Sequence, residues 1–229
     1  MKKTLLALAV AAALVPSLAM AEAGDIVVRV RATHIAPDES SKLGSQTDAT
    51  YGTGTANTLY GTAGATLGVD ANTIPEIDFS YYITKNIAAE LILAVGTRHD
   101  VHINGYSAAG SANLGSVNLL PPTLTLQWHF NPDQTIDPYI GAGVSYVRAM
   151  DNGLSYNGAV PIKIERDSFG PAIQAGVDYN LENKWLLNLD VKKIWFGTDV
   201  SLDYVGGWKK IDSLDVDPWV VSVGFGRKF

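Results

Sequence analysis

Read backwards from its C-terminus, the chain alternates with a period of two. Phe229, Arg227, Phe225, Val223, Val221 and Trp219 fall on one face, and Lys228, Gly226, Gly224, Ser222, Val220 and Pro218 on the other. Successive side chains of a β-strand point to opposite sides. One side here is large and mostly apolar; the other is small or polar. A soluble sandwich would bury the large side in a core. A membrane barrel would turn it to lipid and leave the small side in the lumen.

The pattern recurs along the chain. Ile77, Phe79, Tyr81 and Ile83 oppose Asp78, Ser80 and Tyr82. Ile87, Ala89, Leu91, Leu93 and Val95 oppose Glu90. Leu124, Leu126, Trp128 and Phe130 oppose Thr125, Gln127 and His129. Ile173, Ala175, Val177, Tyr179 and Leu181 oppose Gln174, Gly176 and Asp178. Trp185, Leu187, Leu189 and Val191 oppose Asn188, Asp190 and Lys192. A first strand near 26–35 sets Arg29 and Arg31 against Ile26, Val28 and Val30. Another near 136–148 is blurred by Gly141 and Gly143. With the C-terminal segment these make eight strands.

Their connections alternate in length. Thr84-Lys85-Asn86, residues 131–135 and Glu182-Asn183-Lys184 are short turns. Residues 36–70, 98–116, 150–167 and 198–214 read as long loops, rich in Gly, Thr, Asn and Ser. The first, with Tyr51-Gly52-Thr53-Gly54-Thr55, is low in complexity and is expected to be a mobile loop. Three short turns and four long loops predict an all-β, eight-stranded antiparallel up-and-down transmembrane barrel with both termini periplasmic.

The N-terminus adds an address. Lys2 and Lys3, an apolar run from Leu5 to Val15 and a small-residue exit at Ala19-Met20-Ala21 read as a secretory signal peptide over residues 1–21. Residues 22–229 are then the single mature domain. Loss of the two lysines moves the net charge from −6 to −8, which argues against nucleic acid as a partner. The absence of cysteine excludes a disulfide scaffold and thiolate metal sites. No cofactor is expected.

Membrane closure is favoured over a periplasmic β protein because every backbone N–H and C=O must be paired in hydrocarbon, and an open sheet edge leaves some unpaired. Trp128, Phe130, Trp185, Trp219, Phe225 and Phe229 lie near strand ends, where interfacial aromatic belts sit. A C-terminal Phe with apolar residues at alternating positions resembles the signal read by the barrel-insertion machinery, an expected partner during biogenesis. The expected location is the outer membrane of a Gram-negative bacterium, with its lipids as surroundings.

Several motifs together carry a family likeness. They are Asn118-Leu119-Leu120-Pro121-Pro122-Thr123-Leu124 ahead of Gln127-Trp128-His129-Phe130, Pro138-Tyr139-Ile140-Gly141-Ala142-Gly143, and Asp151-Asn152-Gly153. Gln174-Ala175-Gly176-Val177-Asp178-Tyr179, Val216-Asp217-Pro218-Trp219 and the stretch from Glu90-Leu91 to Arg98-His99 complete the set. In this order they resemble the OmpW/AlkL family of small outer-membrane barrels. The resemblance implies uptake of small hydrophobic molecules, which makes such solutes the expected partners. Residues 40–70 resemble nothing in particular.

The inward faces can be ordered by depth. The lower lumen receives Arg29, Arg31, Asp78, Glu90, His129, Asp178, Asp190 and Lys192. In so narrow a barrel, unpaired charges are costly, so a paired, hydrogen-bonded plug is expected. The upper lumen receives Ile92, Ala94, Leu119, Val147, Ile194, Phe196 and Val220, an apolar funnel open to the loops. Pro121 and Pro122 sit mid-strand at that depth. Each lacks an N–H, so the ladder loses bonds there and a lateral gap for release into the membrane is expected.

Rival functions have less behind them. His99-Asp100-Val101-His102 with Ser107 or Ser111 lacks the spacing of a known triad, so no enzyme is expected. The same histidines lack a third ligand, so no metal is expected. Gly141-Ala142-Gly143 sits inside a strand and lacks the third glycine of a dinucleotide fingerprint. The alternative to uptake is a structural or receptor protein acting through its surface loops.

Overall fold

The computed structural model describes residues 22–94 and 97–229. The signal-peptide assignment and Val95 lie outside the described residues. The chain begins with β1 (Ile26–Ala36), helices α1 (Leu43–Tyr51) and α2 (Thr55–Tyr60), then β2 (Thr66–Val69), β3 (Asn72–Tyr82) and β4 (Ile87–Ala94). Next come β5 (Thr97–Asn104), β6 (Asn113–Leu120), β7 (Thr123–His129), β8 (Ile136–Asn152), β9 (Ser155–Tyr156) and β10 (Val160–Ile164). The last elements are β11 (Asp167–Asn180), β12 (Trp185–Ile194), β13 (Gly197–Tyr204), β14 (Gly207–Asp215) and β15 (Trp219–Lys228).

Eight of these strands close into a ring in the order β1–β3–β4–β7–β8–β11–β12–β15, with β15 returning to β1 and every neighbour antiparallel. They are the eight strands expected from the alternation. Closure leaves the ring without an edge, as hydrocarbon requires.

Burial in the ring is inverted relative to a soluble protein. Along β7, Leu124 and Leu126 are 53% and 58% exposed, whereas Thr125, Gln127 and His129 are buried. On β15, Val223 and Phe225 face outward while Ser222 and Lys228 are buried. Trp128, Phe130, Trp185, Phe225 and Phe229 form an exposed aromatic belt at one end of the ring. Trp195, Trp219 and Phe169, stacked on Tyr146, mark the other. Only lipid makes such an exterior favourable.

Small residues on the inner face make room for long ones. Gly224 pairs with Arg31 and Gly226 with Arg29. A Cβ on Gly224 would lie 2.2 Å from the Val30 carbonyl oxygen and 2.8 Å from Arg31 Cγ; one on Gly226 would lie 2.7 Å from Arg29 Cγ. The glycines of the last strand are thus what admit two arginines to the lumen.

Above the ring, the expected long loops are mostly strand. β5 and β6 form a hairpin continuing β4 and β7, and β13 and β14 form one continuing β12 and β15. Here the polarity is that of a soluble protein. Val101, Ile103, Leu114, Val200, Leu202 and Leu214 are buried inside a single apolar cluster. The segment expected to be a featureless mobile loop instead contains α1 and α2, which add Leu43, Ala56, Leu59 and Tyr60 to that cluster. Gly44 permits the close approach of α1: a Cβ there would collide with the Ala63 carbonyl oxygen at 2.1 Å. Lys42 N–H donates to Asp212 Oδ1 at 2.9 Å, and the Tyr156 hydroxyl donates to the Leu59 carbonyl. The funnel expected to open to the loops is therefore covered by two helices. Tertiary contacts hold them where helix propensity alone would not.

Candidate functional site

Where the ring passes into the hairpins, an apolar cavity occupies the lumen. Ile92, Ala94, Leu119, Ile194 and Phe196, the expected channel residues, all line it, together with Val147 and Val220. A second apolar space lies above, between the hairpins, and shares Val69, Leu119, Val147, Phe196 and Val216 with the first. Polar side chains line the lower space at Glu76, Thr97, His99, Thr123 and Lys192.

Beneath the cavity the lumen is filled with charged side chains, each buried. Arg29 Nη1 lies 3.0 Å from Asp78 Oδ1, and its Nη2 lies 2.5 Å from Asp178 Oδ2. Arg31 bridges three carboxylates: Glu76 through Nε at 2.8 Å, and Asp78 and Glu90 through Nη2 at 2.7 and 2.9 Å. The second oxygen of Glu90 accepts from Thr125 at 3.1 Å and from Gln174 at 2.8 Å. Asp190 is held by Lys192 Nζ at 3.2 Å and by the Tyr139 hydroxyl at 2.8 Å. Asn188 ties the groups together, donating to Asp178 and to the Tyr139 hydroxyl and accepting from Arg31.

His129 belongs to a lower layer. Its Nδ1 is 2.7 Å from Asp137 Oδ2, and its ring lies between Tyr82 and Tyr139, with both centroids 5.0 Å away. His129, Asp137 and Asp178 each bring one ligand atom within 4.8 Å of the others. Asp137 is already bonded to His129, and the Arg29 guanidinium occupies Asp178, so both acids have partners within the protein.

Glu76, Asp137, Tyr139 and Lys228 were not among the residues singled out from sequence, yet all are buried within the ring. Glu76 shares the parity of Asp78 on β3, and Lys228 sits on the inner face of β15, so the period did contain them. Asp137 and Tyr139 lie in the stretch blurred by Gly141 and Gly143. Gly176 signals Tyr139 indirectly, because a Cβ there would lie 2.4 Å from its hydroxyl.

Pro121 and Pro122 fall at the break between β6 and β7, and Pro121 lines the cavity. On the β8 side the sheet continues, with Tyr146 N–H donating to the Pro122 carbonyl at 2.9 Å. On the other side, β4 pairs with β7 as far as Ile92–Thr123, and pairing resumes between β5 and β6 at Thr97–Leu119. Among the described residues no ladder pair joins the segments between those points.

The histidine motif does not assemble. His99 is buried on the inner face of β5, its Nδ1 2.8 Å from the Asp70 carbonyl oxygen. His102 is part-exposed on the opposite face.

A closed eight-stranded ring, greasy outside and filled with paired polar groups inside, is an integral outer-membrane β-barrel protein. The OmpW family profile matches residues 22–229, and the chain belongs to the OmpW family. Outer membrane protein W of Escherichia coli strain K12 is 34% identical over 234 residues, covering 100% of this chain and 99% of that protein. The crystal structure of OprG from Pseudomonas aeruginosa matches with a TM-score of 0.76 at 30% identity, covering 91% of this chain and 97% of that one. The solid-state NMR structure of AlkL in DMPC lipid bilayers matches with a TM-score of 0.64 at 26% identity, covering 91% of each chain. The protein is thus an outer-membrane protein of the Gram-negative type and not an enzyme.

Proposed function

We propose that the protein is an outer-membrane channel for the uptake of small hydrophobic molecules. Solute rests in the apolar cavity, is stopped below by a plug of paired charges, and leaves sideways into the membrane beside Pro121 and Pro122. The observation that carries this reading is the joining of an apolar cavity to a buried ionic floor within one lumen. Each Å² of apolar surface removed from water stabilises a bound solute by roughly 25 cal/mol. To pass the floor, the same solute would have to separate ion pairs in a dry interior, where each unpaired charge is expensive. The wall through which it leaves is the one beside Pro121, whose missing N–H removes a ladder donor there.

The test compares uptake of an apolar dye by intact cells bearing wild-type protein, Ile92→Arg or Phe196→Arg. Both arginines set a solvated charge where solute rests and should lower uptake. A cross-link between the strands flanking Pro121 should lower it as well, with the barrel still folded. Conductance in planar bilayers should be small. Large steady conductance, with uptake undiminished in both arginine variants, would show that solute crosses through water to the periplasm.

A further inference from the structure

Lys192 is 2% exposed and lines the apolar cavity at its floor. An ammonium carries three N–H donors. Among the described residues one acceptor meets them, Asp190 Oδ1 at 3.2 Å. A buried donor without a partner costs free energy that an acceptor on a bound molecule recovers. Glu76 lines the same cavity. Its Oε1 lies 2.8 Å from Arg31 Nε as an ion pair, yet among the described residues that buried oxygen accepts no well-aligned hydrogen bond. The floor of a cavity otherwise made of hydrocarbon thus offers a donor and an acceptor.

Charge decides which head group suits that floor. Asp78, Glu76, Glu90, Asp178 and Asp190 form one connected network with Arg29, Arg31 and Lys192, so carboxylates outnumber cations. A ligand carboxylate would add an anion beside a cluster of carboxyl groups, in a medium where like charges repel strongly. A hydroxyl accepts from Lys192 and brings a proton for a carboxylate, without charge.

We infer that the cavity selects apolar molecules bearing a single hydroxyl group, held head-down with their oxygen on Lys192. This deepens the uptake reading and rests on it. The test is equilibrium binding of naphthalene, naphthol and naphthoate to the full-length protein in lipid nanodiscs, corrected for partition into empty nanodiscs. Naphthol should bind about tenfold more tightly than naphthalene, the effect of one hydrogen bond to a charged group. Naphthoate should bind no better than naphthalene. Lys192→Met should bring naphthol down to the affinity of naphthalene. Because that variant leaves Asp190 unpaired, Lys192→Met with Asp190→Asn is measured alongside it. Equal binding of naphthol and naphthalene to the wild type overturns this inference alone, as does a preference that survives both variants or tightest binding of naphthoate. Binding of none of the three overturns the uptake reading together with it.

Discussion

Arg29 and Asp178 meet across the lumen, Nη2 to Oδ2 at 2.5 Å, although 149 residues separate them in the chain. The contact joins β1 to β11, which are not neighbours in the ring. Such pairs brace opposite walls. Asp178→Ala leaves part of the guanidinium without its anion, and Asp190→Ala does the same to Lys192. Each should destabilise the barrel by about 3–5 kcal/mol, the cost of breaking a buried pair. Unfolding in urea from lipid vesicles, followed by tryptophan fluorescence and by heat-modifiable migration on gels, measures it. A wild-type profile for Asp178→Ala would show that the Arg29 pair does not brace the walls, and one for Asp190→Ala that Lys192 does not need its anion.

Gly224→Leu should prevent assembly. The added side chain meets Arg31 and the Val30 carbonyl at distances no Cβ adopts. Gly207, with open space around its Cβ position, is the control, although its backbone φ of 90° costs any replacement something. Gly207→Ala should assemble with a modest loss. Equal recovery of folded Gly224→Leu would mean that Arg31 can be re-seated.

Orientation has its own check. Asn104, Asn157 and Val205 are exposed at the hairpin ends, and Asn183 lies in the tight turn between β11 and β12. Cysteine at the first three positions should react with an impermeant maleimide on intact cells, and cysteine at Asn183 only after the outer membrane is opened. The reverse pattern would turn the barrel over.

The ring was legible in the sequence because lipid imposes a single rule on all eight strands: large apolar side chains on one parity and small or polar ones on the other. The hairpins were not, because the rule changes sign above the membrane. In β4, the odd positions Leu91 and Leu93 are apolar and face outward; in β5, the odd positions Val101 and Ile103 are apolar and face inward. A pattern that keeps its parity while exchanging its faces reads as a pattern lost. Short strands with Gly and Asn at their turns then pass for loops. The two helices were invisible for another reason. Their apolar contacts, Leu43, Ala56, Leu59 and Tyr60, are too few to trace a stripe, and the surface they cover exists only once the hairpins have formed. Among the charged residues, parity placed Arg29, Arg31 and Asp190 inside but said nothing of which would meet. Distances across a closed ring are not local in sequence.

The helical cover supplies a pH prediction. Tyr60 is buried beneath it, its hydroxyl 3.2 Å from Thr47 Oγ1. Burial pushes this phenol up to about 12, with the bond to Thr47 pulling slightly the other way. A raised folded value means that the neutral form is the one the fold accepts. The contribution is fully present below the unfolded value, near 10, and is lost as pH rises through about 12. The cover should therefore loosen in that interval. Cysteine at Leu43, buried in this state, should become reactive across the same range. Tyr60→Phe should remove the pH step. A step that persists in that variant would belong to another group.

The inversion of polarity along the wall has a thermodynamic consequence. Hydrocarbon lines the inside of the upper channel and the outside of the ring below it, so a solute exchanging one for the other does not change solvent. On the proposed path a solute would gain little by moving from one to the other, and the protein would add almost nothing to the final distribution. What that path would alter is the crossing rate through the polar layer that caps the bilayer. A tight cavity would saturate and become a sink, so moderate affinity is what allows turnover. On that proposal net flux would follow the activity of the solute on either side, in either direction, and any one-way capture would have to come from chemistry that consumes it further inside the cell.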